Sequence, residues 1–175
     1  MFIRIKKIKN QKYGYLVENK WLKTKKSTRQ KTKKYLGRII SPELVNDISL
    51  VDYYKLNQRQ ELLADKTLTE TTLSLIKLEL FKHGFQEQDS VWTLNDLTVN
   101  FDDFQVLRSR KPVCIELNQG FLTQHTLKEA SNFKTPESTK KEIAKSLATS
   151  FISCGLDVEP NFFIQIFQQY YPHLD

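Results

Sequence analysis

Cysteine and glycine are both scarce in this sequence. Its two cysteines, Cys114 and Cys154, form no Cys-X-X-Cys pair and have no histidine at ligand spacing, which excludes a disulfide framework and a zinc ribbon. We therefore expect two reduced, buried thiols. The five glycines each lie more than 20 residues from the next, which excludes a glycine-rich phosphate loop and a dinucleotide-binding fingerprint.

Long apolar runs are missing as well. The sequence contains no apolar stretch of the ~18 residues that a membrane-spanning helix needs. Its first residues also lack the apolar segment of a signal peptide. We therefore expect a cytoplasmic protein that has no membrane partner.

Charge is plentiful but unevenly placed. Residues 1–40 contain 14 lysines and arginines against a single acid, Glu18, whereas residues 41–175 contain 13 against 19 acids. Such concentrated positive charge attracts phosphates and releases their counterions on contact. The sequence therefore predicts nucleic acid, either DNA or structured RNA, as the partner of residues 1–40.

The same basic segment has the pattern of a β meander. Residues 2–9 are rich in β-branched side chains, the chain breaks at Asn10-Gln11, and an extended pattern returns at residues 13–17 and 29–39. We predict three strands that follow one another in the sheet.

Alternation within two of these strands predicts a binding face. Tyr13, Tyr15 and Val17 lie on one side of the second strand, and Arg29, Lys31 and Lys33 lie on one side of the third. We expect one face that is cationic and partly aromatic; the alternative is a solvated sheet whose aromatics form its own core. The expected phosphate contacts are Arg4, Lys6, Lys7, Lys25, Lys26, Arg29, Lys31, Lys33, Lys34 and Arg38. The expected base or sugar contacts are Tyr13, Tyr15 and Trp21.

Four short motifs in this segment resemble a known family. Met1-Phe2-Ile3-Arg4-Ile5-Lys6-Lys7, Tyr15-Leu16-Val17-Glu18-Asn19, Arg29-Gln30-Lys31 and Tyr35-Leu36-Gly37-Arg38 are similar to the N-terminal region of insertion-sequence transposases. The resemblance implies that residues 1–40 contact DNA. It does not imply recombinase activity, because the remaining 135 residues are too few for the family's large catalytic domain and its three separated acids.

Residues 41–66 are predicted to connect the basic segment to a body formed by residues 67–175. Ser41-Pro42-Glu43 combines an N-cap residue, a proline at the first helical position and an acid. We expect a short helix to start there and a domain boundary to lie beside it.

The body is predicted to contain a small antiparallel sheet flanked by helices. Residues 70–83 have an apolar stripe at helical spacing, and Gly84 can end that helix. Alternating apolar residues around Trp92, Leu97 and Val113 predict three strands. These elements and the meander predict an α+β fold.

Two or three further helices should close the chain as a helical pair. Thr126 and Glu129 have the spacing of a capping box, Thr135-Pro136-Glu137 predicts the start of the next helix, and Pro160 predicts the start of the last. The last helix, over residues 160–171, is apolar around much of its circumference. It either completes the core or presents aromatics to a second copy or a protein partner, as in an interaction adaptor.

A third hypothesis is a small metal-dependent nuclease. Asp96, Asp102, Asp103 and Glu116 lie on or beside the predicted strands and would hold Mg²⁺ if they converged. The familiar pattern of a glutamate followed two residues later by lysine fails, because residue 118 is asparagine. Acids beside strand turns are usually solvated, so we expect no metal, no cofactor and no enzymatic activity. Non-catalytic nucleic-acid binding is the predicted function.

Overall fold

The computed structural model describes residues 1–22 and 26–173. It confirms the predicted α+β class, because a mixed sheet of nine described strands is covered by helices. Within the described residues, no helix is both long enough and apolar enough to cross a membrane.

The predicted N-terminal meander is confirmed. Strands β1 (Phe2–Ile8), β2 (Gln11–Leu22) and β3 (Ser27–Ile40) pair antiparallel in sequence order. β2 and β3 are longer than β1, whose pairing with β2 ends at Phe2 and Val17. The outer parts of β2 and β3 therefore continue as a two-stranded hairpin beyond β1. We call these three strands the ribbon.

The ribbon joins the body through a short parallel pairing. Residues 38–40 at the end of β3 pair with residues 113–115 of β8 (Lys111–Leu117). The junction encloses a second, smaller hydrophobic core that is separate from the main one. Its buried members are Leu16, Leu36, Ile39 and Cys114.

One tight contact at this junction gives a stability test. A Cβ added to Gly14 would lie 2.6 Å from Cys114 Sγ, so Gly14→Ala should destabilise the fold by about 1–3 kcal/mol through overpacking. Cys114→Ala removes the colliding atom. The double variant should therefore be more stable than the two single effects predict, by about 1 kcal/mol. Urea unfolding of the four proteins measures this coupling.

A second buried cysteine supplies the control for this double-mutant cycle of Gly14 and Cys114. Cys154 is as buried as Cys114 but belongs to the main core. Gly14→Ala and Cys154→Ala should therefore be additive within about 0.5 kcal/mol. Equal coupling in both cycles would show that Gly14 does not pack on Cys114.

The remainder of the sheet is mainly antiparallel, as predicted for the body. From its far edge inward it consists of β4 (Gln86–Gln88), β5 (Val91–Leu94), β6 (Leu97–Asn100) and β7 (Gln105–Arg108), followed by β8. β9 (Gly120–Leu122) returns along β8. The sequence pattern predicted three of these strands and missed the short β4, β7 and β9.

The helices cover this sheet and enclose the main core. They are α1 (Leu50–Tyr54), a 3-10 turn (Arg59–Leu63), α2 (Leu68–Lys82), α3 (Gln124–Ser131), α4 (Lys140–Ser153) and α5 (Pro160–Tyr170). The predictions that Gly84 ends α2 and that Pro160 begins α5 are confirmed. Gly84 has a φ of 82°, and its amide donates to the carbonyl of Phe81.

Three predicted helix starts are wrong. Ser41-Pro42-Glu43 begins no helix, because the following segment binds the end of α2: the amides of Val45 and Asn46 both donate to the carbonyl of Lys82. The capping boxes of α3 and α4 also lie elsewhere than predicted. They are Thr123 with Thr126, and Thr139 with Glu142.

The aromatic-rich last helix packs mainly into the core. Phe162, Ile166 and Phe167 of α5 are buried in the main cluster, whereas Ile164 remains 51% exposed. Most of its aromatic surface therefore covers the body. A protein partner or second copy at residues 160–171 stays a prediction.

Candidate nucleic-acid interface

The ribbon has two faces, and strand register divides the predicted binding residues between them. Residues that pair directly across antiparallel strands point to the same face. Every β2 residue from Tyr13 onward has a partner in β3, but Lys33 and Leu36 of β3 have no partner in β2. The pairing register therefore shifts at these two positions. Arg29 pairs with Lys20 and Lys31 pairs with Glu18, so both cations lie on the face opposite Tyr13 and Tyr15. The expectation of one shared face is therefore wrong.

The first face, which we call the tyrosine face, carries an aromatic cluster. The ring centroid of Tyr35 lies 5.3 Å from that of Tyr15 and 6.3 Å from that of Tyr13. Lys6 Nζ lies 4.7 Å above the Tyr15 ring, a cation–π geometry. Tyr35 is 48% exposed, and partial burial raises the pKa of its phenol.

Cations and amides surround this tyrosine cluster. Arg4 pairs with Tyr15 and donates to Gln30 Oε1 at 2.6 Å, and Arg38 pairs with Tyr13. Trp21 lies farther out along the same side of β2 and is 62% exposed. The ribbon's single acid, Glu18, lies on the opposite face because it pairs with Lys31. The tyrosine face is therefore aromatic and positive.

The second face, which we call the lysine face, places like charges directly opposite one another. Lys7 pairs with Lys12, and Lys20 pairs with Arg29. Such like-charge pairs across strands destabilise a sheet. Lys12 Nζ lies 4.0 Å from Glu116 Oε2, so the lysine face retains only part of this electrostatic cost in the free protein.

Glu18 offsets part of this charge. Its Oε2 lies 2.8 Å from Lys33 Nζ, and the hydrogen bond from that ammonium holds the pKa of the carboxyl below its usual value. Lys34 also lies on this side of β3, and its Nζ donates to Gln124 Oε1 of α3 at 3.1 Å. The lysine face thus reaches the first residue of a body helix.

Two predicted phosphate contacts, Lys25 and Lys26, lie between β2 and β3 in the sequence. Lys26 is exposed with a φ of 43°, whereas Lys25 lies outside the described residues.

Four residues that were not predicted as contacts also lie on the two faces. Tyr35 and Gln30 lie on the tyrosine face, and Lys12 and Lys20 lie on the lysine face. Strict alternation along β3 would place Tyr35 on the same side as Lys31 and Lys33. The sequence pattern therefore did not predict its position beside Tyr15.

The four acids of the nuclease hypothesis do not come together. Asp96 precedes β6 and accepts from Arg108 Nε at 2.6 Å, which lowers the pKa of its carboxyl. Asp102 and Asp103 follow the other end of β6, and Glu116 accepts from Ser41. Across residues 1–22 and 26–173, no three His, Cys, Asp or Glu side chains are placed to hold a metal ion.

The strand–turn–helix segment at residues 113–123 is tied to two helices of the body. Asn118 Nδ2 donates to Glu79 Oε2 at 2.9 Å and to the carbonyl of Gly155 at 2.8 Å. These bonds tie the turn between β8 and β9 to α2 and to the end of α4. Cys114 is fully buried in β8, and burial raises the pKa of its thiol to about 12, so the thiol is a packing group.

Comparison with known proteins gave no relative. We found no match to a protein-family model, a curated protein or a solved structure. The resemblance of residues 1–40 to insertion-sequence transposases therefore stays a prediction.

Proposed function

We propose that this chain binds nucleic acid through its N-terminal ribbon without cleaving it. The observation that carries the proposal is the pairing of like charges on the lysine face, Lys7 with Lys12 and Lys20 with Arg29. A bound phosphate chain removes this repulsion, and neutralising phosphates releases counterions.

The tyrosine face complements this charge with groups that contact bases. Exposed aromatic side chains on a sheet stack on unpaired bases, and each stacked base contributes about 1–3 kcal/mol. Tyr35 and Trp21 are the most exposed aromatics of this face. The cations Arg4, Lys6 and Arg38 lie on the same face and can hold the phosphates of the same strand.

The first test is a binding titration of the full chain. Fluorescence anisotropy with labelled duplex DNA, single-stranded DNA and structured RNA, each at several salt concentrations, should give a log–log salt slope of about −5 or steeper for the preferred polymer. The preferred polymer identifies the biological class of ligand. Absence of binding to all three would overturn the proposal.

Removing two exposed aromatics should weaken binding without changing its salt dependence. Trp21→Ala combined with Tyr35→Ala is expected to reduce affinity for an unpaired strand by about 100-fold, because two stacking contacts are lost. The salt slope should stay the same, since no cation is removed. Ile164→Ala, which truncates an equally exposed apolar residue of α5, is the matched control and should bind normally.

A further inference from the structure

We propose that the bound phosphate chain continues from the lysine face into a groove between α3 and α4. This inference rests on the proposed function and adds a second binding surface in the body. The groove has a volume of about 910 Å³ and is lined by residues of both helices and by Lys34 of β3. Lys34 therefore belongs to the lysine face and to the groove.

The charge of the body supports this route. Four lysines and two glutamates line the groove, whereas the body as a whole contains ten lysines and arginines against fourteen acids. A positive part of an otherwise acidic body thus lies at the groove, where Lys34 connects the ribbon to α3. A polyanion leaving the ribbon meets an attractive potential in that direction.

The groove offers the side chains that usually hold phosphates. Lys128 of α3 and Lys145 of α4 both line it, with Lys134 between the helices. Hydroxyl and amide groups lie beside them on the facing sides of the two helices, and such groups supply many backbone contacts to nucleic acid. The hydroxyl and amide residues include Gln124, Asn132, Ser146, Thr149 and Ser153.

The two carboxylates of the groove already have partners. Glu129 Oε2 lies 3.2 Å from His125 Nε2, and Glu142 accepts from the amide and the hydroxyl of Thr139 in the α4 capping box. Among the described ion pairs, none includes Lys128, Lys134 or Lys145. These ammonium groups are therefore available to phosphates.

The test compares two double variants of equal charge. Lys128→Ala with Lys145→Ala removes two groove cations and should lower the magnitude of the salt slope by about 1.5, with an affinity loss of roughly 20- to 60-fold at ~0.1 M salt. Lys140→Ala with Lys141→Ala removes the same charge from exposed positions of α4 outside the groove and should change binding little.

Oligonucleotide length separates the possible results. A short oligonucleotide that the ribbon alone can hold should bind wild type and groove variant equally, and the difference should appear as the strand is lengthened. If wild type binds and the groove variant behaves like its control at every length, the groove proposal is overturned while ribbon binding stands. If wild type binds no polymer, both proposals are overturned.

Discussion

Replacing Lys7, Arg29 and Lys31 by glutamine is expected to weaken nucleic-acid binding by about 500-fold at ~0.1 M salt, if each residue neutralises one phosphate of a duplex. The salt slope should become shallower by about 2.7. These side chains lie on the lysine face, and replacing Lys7 and Arg29 removes the like charges directly opposite Lys12 and Lys20. Anisotropy titrations across a range of salt concentrations measure both quantities.

The stability of the same variant gives an independent readout. Because replacing Lys7 and Arg29 relieves cross-strand repulsion, whereas replacing Lys31 removes a charge opposite Glu18, the free energy of unfolding should change little. The matched control replaces Lys111, Lys140 and Lys141, which are exposed outside the ribbon, and removes the same formal charge. Equal loss of affinity in both variants would mean that net charge, and not the lysine face, determines binding.

Gly37→Ala should have the largest effect on the fold. Gly37 has a φ of 124°, and an added Cβ would collide with the backbone carbonyl of Pro112. Backbone strain at such a φ costs about 1–3 kcal/mol, and overpacking against a rigid backbone costs a similar amount of about 1–3 kcal/mol. We expect a loss of at least about 3 kcal/mol in the free energy of unfolding, measured by urea denaturation.

The neighbouring position supplies the control for this prediction. Arg38→Ala changes an exposed side chain in the same strand and should alter stability by less than about 0.5 kcal/mol. A Gly37→Ala protein as stable as wild type would mean that β3 and β8 do not approach as closely as described. Gly37 also belongs to the Tyr35-Leu36-Gly37-Arg38 motif, so its packing role gives that motif a structural reason.

Local signals in the sequence predicted much of the fold. The alternation of β2, the glycine after α2 and the proline that begins α5 each act within a few residues, and each prediction was confirmed. Helix starts were less predictable, because several threonines compete as caps. Thr139 has a glutamate three residues later, as a capping box requires, whereas Thr135 does not.

The candidate site was only partly predictable. The sequence identified the basic segment, but the pairing register of β2 with β3 decides which face each cation occupies. The two register shifts in β3 place Tyr35 on the tyrosine face and Lys34 on the lysine face, and no residue type marks them. The groove was missed for a different reason. Lys34 and Lys128 are distant in sequence, and they come together only because β3 pairs with β8 and because α3 follows β9.

The pairing of β3 with β8 also has a consequence for synthesis on the ribosome. Val113 is synthesised 75 residues after Arg38. At a translation rate of about 5–20 residues per second, this separation corresponds to a delay of several seconds. During that interval Leu16, Leu36 and Ile39 have no Cys114 to pack against, since their partner strand does not yet exist. Dense positive charge around these residues opposes aggregation of the nascent chain. The ribbon's lysines would thus protect the unfinished protein, a role separate from the proposed binding of nucleic acid.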